Sequence, residues 1–147
     1  MISSDEEDAK SEVTISRYAG EEEIDVIMSL IDEELSEPYT VFTYRYFLNQ
    51  WPELCFLASL GGRKGSGSNG NNEGEKGTGD SRYGSRAVGV VICKLDRHLK
   101  GSRLMRGYIG MLSVQPGHRG KGIATRLLKV ALAQLVSYGA QEVSVQA

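Results

Sequence analysis

In residues 13–18, Val-Thr-Ile-Ser-Arg-Tyr, apolar and polar positions alternate among β-branched residues, which predicts a first strand. The period then changes. Ile24, Ile27, Met28, Ile31 and Leu35 recur at helical spacing behind Glu21, Glu22 and Glu23, acids that suit a helix N-terminus. A first helix is predicted to run until just before Pro38. Val41, Tyr44, Phe47 and Leu48 mark one face of a second helix over 40–50, stopped at Trp51-Pro52. Apolar runs at 55–60, 87–95 and 104–114 read as three strands, with a polar turn over 96–103. Ile123, Leu127, Ala131, Leu135 and Val136 give the buried side of a long helix over 123–138, and Gly139 is placed to end it. A fifth strand begins at Val143.

The order β-α-α-β-β-β-α-β predicts a mixed α/β fold in which helices cover a largely antiparallel sheet. Residues 1–12 form an acidic, serine-containing tail, expected to be disordered. Residues 61–84 hold nine glycines among Ser, Asn, Glu and Lys. This composition predicts a flexible insertion between two strands of one hairpin, tolerable because loop-closure entropy grows only logarithmically with length. One domain, residues 13–147, is expected.

Charge changes the picture more than composition does. The net charge of the 147-residue chain is −2, yet residues 1–40 carry thirteen acids and two bases, and residues 41–147 carry fifteen bases and six acids. A basic body suits a polyanionic ligand. Nucleic acid is not favoured, because no RNP-like run, zinc-finger spacing or base-reading basic helix is present. Cys55 and Cys93 each lie in an apolar run, far from other ligating residues, and read as reduced core thiols with no metal site. No apolar run reaches the ~18–20 residues of a membrane span, and the N-terminal residues are polar and acidic, so a cytoplasmic protein is expected.

Two glycine-containing segments compete for a ligand. Gly65-Ser66-Gly67-Ser68-Asn69-Gly70 matches a dinucleotide fingerprint but lies in low-complexity sequence with no helix after it, and is set aside. No Gly-Lys-Ser/Thr occurs, which argues against a P-loop NTPase. Arg119-Gly120-Lys121-Gly122-Ile123-Ala124 has the right context: an apolar strand before it, a long helix after it. Such a loop can aim unpaired first-turn N–H groups at a phosphate. The same residues can equally be a plain helix start behind the tight turn 115–117.

The run Gly107-Tyr108-Ile109-Gly110-Met111-Leu112-Ser113-Val114, then Pro116-Gly117-His118, then Arg119-Gly120-Lys121-Gly122-Ile123-Ala124, resembles motif A of the GNAT acetyltransferases. Three further segments narrow the resemblance: Leu35-Ser36-Glu37-Pro38-Tyr39, the run from Tyr44 to Leu54 (YRYFLNQWPEL), and Val91-Ile92-Cys93-Lys94-Leu95-Asp96. They look like the catalytic subunits of N-terminal acetyltransferase C. The resemblance implies a GNAT fold and transfer of acetyl from acetyl-CoA to a protein N-terminus, Met followed by a bulky apolar residue. It implies no metal. The partners implied are nascent-chain N-termini, the auxiliary subunits of that complex and the ribosome, with neither nucleic acid nor membrane bound directly.

Site roles follow from the same resemblance. Leu112, Ser113 and Val114 would meet the pantetheine arm, and Arg119, Gly120, Lys121, Gly122, Ile123 and Ala124 the pyrophosphate. Leu35, Glu37, Pro38, Tyr39 and Met111 would line the acceptor pocket. Tyr108 would position the water that relays a proton from the α-amine. Gln146 stands where the family carries a glutamate, and a carboxamide could only orient that water. His98 and His118 read as surface residues, and Lys94, Arg97, Lys100, Arg103 and Arg106 as a mostly solvated turn. The family continues with a further loop, helix and two strands, so an incomplete domain is expected, with an open sheet edge at its end. Two rival readings remain at this point: a CoA-binding module impaired in turnover, and a GNAT acting on lysine or a small amine.

Overall fold

Five strands join into one sheet in the order β1-β2-β3-β4-β5, each beside its neighbour in the chain. A computed structural model describes residues 13–61, 87–97 and 103–145. The strands are β1 (Val13–Arg17), β2 (Cys55–Leu60), β3 (Ala87–Arg97), β4 (Met105–Val114) and β5 (Glu142–Val145). Three helices complete the fold: α1 (Ile24–Asp32), α2 (Val41–Gln50) and α3 (Ile123–Ser137). The first three pairings are antiparallel and β4–β5 is parallel, with α3 as the crossover that a parallel pair requires. The predicted order and class therefore hold. The acidic tail, residues 62–84 of the glycine-rich stretch, His98, Lys100 and Gln146 lie outside the described residues.

The sheet is covered on both faces. On one, Ile123, Leu127, Ala131 and Leu135 of α3 pack on Val88, Val91, Cys93 and Ile109. On the other, Ile24, Ile27, Leu30 and Ile31 of α1 and Tyr44, Phe47 and Leu48 of α2 pack on Leu57, Val90, Ile92 and Met111. This explains why β2 and β3 read as continuous apolar runs: both of their faces are buried. Cys55 and Cys93 are free, buried thiols, and burial pushes both upward in pKa, Cys93 to about 12.

Three boundaries or faces differ from the sequence reading. First, α1 ends at Asp32, not just before Pro38. Its last turn tightens through Glu34 N–H to Ile31 C=O (3.1 Å) and Leu35 N–H to Asp32 C=O (3.2 Å), while the Tyr44 hydroxyl donates to Asp32 Oδ1 at 2.5 Å. The helix stops where α2 takes its last side chain, which frees residues 33–40 as a loop. Second, Val136 is 65% exposed, because it sits one position, about 100°, past the Leu135 edge of the α3 stripe. Third, β3 runs on to Arg97, which pairs with Met105, so Arg97 belongs to a strand and not to the polar turn, and Lys94 and Arg106, half-buried within β3 and β4, are not part of a solvated turn either.

Candidate active site

The register along β4 positions the site. β3 pairs with β4 from Gly89↔Val114 to Arg97↔Met105, with a shift between Ile92 and Cys93 that leaves Gly110 as an extra residue. β5 pairs with β4 only from Arg106↔Glu142 to Ile109↔Val145. Among the described residues, Gly110–Val114 thus has a strand on one side only. The bulge sits where the edge opens, a common device next to active sites. A Cβ on Gly110 would stand 3.1 Å from two ring carbons of Phe47, so a side chain there would have to push the α2 ring aside by a few tenths of an ångström.

Beyond β4 the chain forms a 3-10 turn, Pro116–His118, and then the glycine loop. Gly120 and Gly122 have φ of +78° and +79°, the left-handed region that side chains resist. A Cβ at either would meet nothing within 4 Å, so the glycines serve the backbone shape and leave the space above it open. Gly122 caps α3 without a side-chain hydrogen bond, and its C=O accepts from Arg126 N–H at 3.0 Å. The start of this fifteen-residue helix therefore presents N–H groups and the positive end of its dipole to open space. Ile123 itself is buried in the core, so only its backbone is available.

Two cavities flank β4. One, of about 280 Å³, is lined by Glu34, Leu112, Ser113, Val114, Arg119 and Ala124. The other, of about 430 Å³, is lined by Tyr39, Thr43, Tyr46, Phe47, Lys94, Gly110 and Met111. The first unites five of the residues assigned to the cofactor with Glu34, which the sequence reading did not single out. The second unites Tyr39 and Met111 with four α2 and β3 side chains it passed over. Leu35 is half-buried against the α1–α2 core, whereas Glu37 and Pro38 are exposed and line neither cavity. Lys121 is exposed. His118 is half-buried, not at the surface.

Arg119 does not project freely as a cation. Its Nε donates to Val114 C=O at 3.1 Å and its Nη2 to Glu34 Oε1. Ser113 Oγ, buried, donates to Leu30 C=O at 2.9 Å, a second tie from the end of β4 to α1. Tyr108 lies across from Lys94 on β3 and Ser144 on β5. Its ring has Lys94 Nζ at 4.9 Å and the Arg106 guanidinium at 5.9 Å. Lys94 also reaches the Tyr46 ring at 5.6 Å and Asp96 at 3.5 Å, and supplies the one formal charge among residues lining the larger cavity. Its signal in the sequence was its place as a lone cation inside an apolar strand run, between Cys93 and Leu95. Arg106 is turned to Glu142 at 2.9 Å, which holds its guanidinium above its ordinary pKa. Among the described residues no group of three or more His, Cys, Asp or Glu could hold a metal ion, and no helix is long and apolar enough to cross a membrane.

Known proteins resemble this chain in sequence and fold. Residues 24–147 match the acetyltransferase (GNAT) family. N-alpha-acetyltransferase MAK3 of Arabidopsis thaliana is 39% identical over 142 residues, 97% of this chain and 61% of that protein. N-alpha-acetyltransferase 30 of Homo sapiens is 40% identical over 127 residues, 86% of this chain and 28% of that protein. The chain thus spans about three fifths of the plant relative and less than a third of the human one. A structure of the NatC complex bound to Gag peptide and CoA aligns with a TM-score of 0.69 at 34% identity, covering 91% of this chain and 73% of that one. Arabidopsis thaliana Naa50 in complex with the bisubstrate analogue CoA-Ac-MVNAL shares the fold, at a TM-score of 0.63 and 19% identity, covering 91% of this chain and 71% of that one. With the family match running from the start of α1 through β2 to β5, the glycine loop and both cavities, the chain belongs to the acetyltransferase (GNAT) family.

Proposed function

We propose that this chain carries the catalytic domain of a C-type N-terminal acetyltransferase, transferring acetyl from acetyl-CoA to the α-amine of proteins that begin with Met and a bulky apolar residue. The observation that carries this reading is the identity of about two residues in five with N-alpha-acetyltransferases, running through the elements of both cavities. The glycine loop fits a pyrophosphate: open space above Gly120 and Gly122, and the start of α3 beneath it. The one-sided stretch Gly110–Val114 fits a pantetheine arm, whose amides can pair with a strand edge. Acetyl-CoA, when bound, supplies an acyl group activated as a thioester. An N–H of the Leu112–Val114 stretch would stabilise negative charge on the carbonyl oxygen.

The larger cavity fits the acceptor. Tyr39, Tyr46, Phe47 and Met111 give it apolar walls suited to a methionine and a second bulky side chain. An α-amine has an unperturbed pKa near 8, so much of it is protonated at neutral pH and must lose a proton before it attacks. Tyr108, two residues before the bulge on β4, would orient the relaying water, and Gln146 would assist without taking the proton. The setting proposed is the cytoplasm, with auxiliary subunits and the ribosome as partners.

The protein with its auxiliary subunits should acetylate Met-Leu peptides far faster than Ser-Ala peptides in a mass-spectrometric assay. Equal rates on both would remove the C-type assignment. CoA binding without transfer to either would mark a binding module instead.

A further inference from the structure

Resting on the reading that the glycine loop holds acetyl-CoA, we propose that Glu34 is a positioning residue for that loop. It would act by fixing Arg119, and so join the cofactor loop to the loop that walls the acceptor site. Glu34 lies two residues past α1, at the start of the 33–40 loop. Its carboxylate accepts from Arg119 Nη2, while Arg119 Nε donates to Val114 C=O. One guanidinium thereby fastens three things: the end of β4, the first residue of the glycine loop and the exit of α1. The planar fork of arginine suits such a double attachment, where lysine could offer only a point charge. Ser113 Oγ adds a second tie, to Leu30 C=O, one turn earlier in α1.

The geometry separates two roles that charge alone confuses. An arginine ahead of a phosphate loop could be a phosphate ligand. Here both of its attachments point to protein, and an acid shares its cavity with Leu112, Val114 and Ala124. An acid beside a diphosphate site is unfavourable on charge grounds, so its presence needs a return. The return is a loop held ready, with its N–H groups already aimed, so that little ordering cost falls on binding. The ion pair is partly exposed and contributes little to global stability. Its effect is local, on the loop it anchors.

The test measures CoA binding by calorimetry and steady-state transfer, with the assembled enzyme carrying Glu34→Gln, Arg119→Gln, both together, and Glu34→Asp. Glu34→Gln and Arg119→Gln should each weaken CoA about ten-fold, the size of one lost charge-assisted hydrogen bond. The double variant should be no worse than about ten-fold, because the two act as one unit. The acceptor KM should rise with kcat nearly unchanged, Glu34→Asp should recover part of the loss, and thermal unfolding should shift little. Tighter CoA binding in Glu34→Gln would overturn the proposal, since it would mean that Glu34 masks a phosphate-binding arginine. Additive losses of about a hundred-fold, or no change at all, would overturn it too. Should the unmodified enzyme fail to bind CoA, the reading of the loop itself falls, and this inference with it.

Discussion

Across the bulge at Gly110, the two cavities beside β4 are made of different material. The smaller one lies along Leu112–Val114, where β4 has a strand on one side only among the described residues, and beside Arg119 and Ala124, which flank a loop with two glycines in the left-handed region at the start of α3. The larger one is walled by side chains, Tyr39, Thr43, Tyr46, Phe47, Lys94 and Met111, from a loop, a helix and two strands. A backbone-built site depends on conformation and tolerates change in most of its side chains. A side-chain-built site depends on which residues arrive together, and tolerates backbone change only as far as they stay in place. Variants in the two cavities should therefore fail in different ways, one in cofactor affinity and the other in acceptor use.

The largest expected effect is at Gly122. Valine there must adopt φ near +79°, which costs about 1–2 kcal/mol or more for a β-branched residue, although its Cβ would clash with nothing. The backbone will relax away from that shape and take its N–H groups with it. CoA affinity should fall about ten- to a hundred-fold in a calorimetric titration, at about 1.4 kcal/mol per decade. Lys121→Ala, which removes an exposed cation and leaves the backbone alone, should cost about three-fold at most. If Lys121→Ala proved the worse of the two, the smaller site would be built on charge and the contrast would collapse.

Gly110→Ala tests the other cavity. The new methyl would stand 3.1 Å from Phe47 Cε1 and Cζ, and Phe47 is held by Tyr46 and Trp51 at centroid distances of 5.1 and 6.4 Å. Overpacking of this kind costs about 1–3 kcal/mol. Denaturant unfolding should show that loss, and the acceptor KM should rise several-fold as the Tyr46–Phe47 wall shifts. CoA affinity should stay within error. A matching loss of CoA affinity would show that the bulge serves both cavities and that they cannot be treated separately.

The same contrast explains what could be read in advance. Arg119 to Ala124 is one continuous segment between a strand and a helix, so spacing alone suggested its chemistry. The larger cavity joins Tyr39, Phe47, Lys94 and Met111, residues up to 72 positions apart, and no local pattern links them. Tyr39 and Met111 were reached only through the family resemblance, and Thr43, Tyr46, Phe47 and Lys94 were passed over. The strands and their order followed from apolar runs, because β2 and β3 are buried on both faces and leave no other reading. The bulge at Gly110 could not be seen, since a register shift depends on the partner strand. Nor could the end of α1 at Asp32: no glycine or proline marks it, and its last residue is tied by a tertiary bond to Tyr44.

That bond gives the smallest of the expected effects and the finest test of the comparison. Tyr44 is wholly buried and donates to Asp32 Oδ1 at 2.5 Å, which ties α1 to α2, the helix that walls the larger cavity. Burial first, and then the bond to the Asp32 carboxylate, push its phenol above the usual 10.0. The folded state therefore keeps the proton that the unfolded chain gives up near pH 10. The stabilisation is complete below that pH and is lost as pH rises toward the folded value. Tyr18, pushed up to about 12, and Cys93, raised from 9.0 to about 12, act in the same direction, so stability should begin to decline near pH 9. Tyr44→Phe should lower stability by about 1–2 kcal/mol at pH 8. Urea midpoints at pH 8, 10.5 and 11.5 should fall less steeply in the variant, which no longer has that proton to lose. An unchanged slope would mean that Tyr44 titrates as it does when unfolded. If the reading of the two cavities is right, the variant should loosen residues 33–40 and raise the acceptor KM slightly while CoA affinity holds. A loss of CoA affinity equal to the rise in KM would instead place the Asp32–Tyr44 tie, like Glu34, on the path between the two sites.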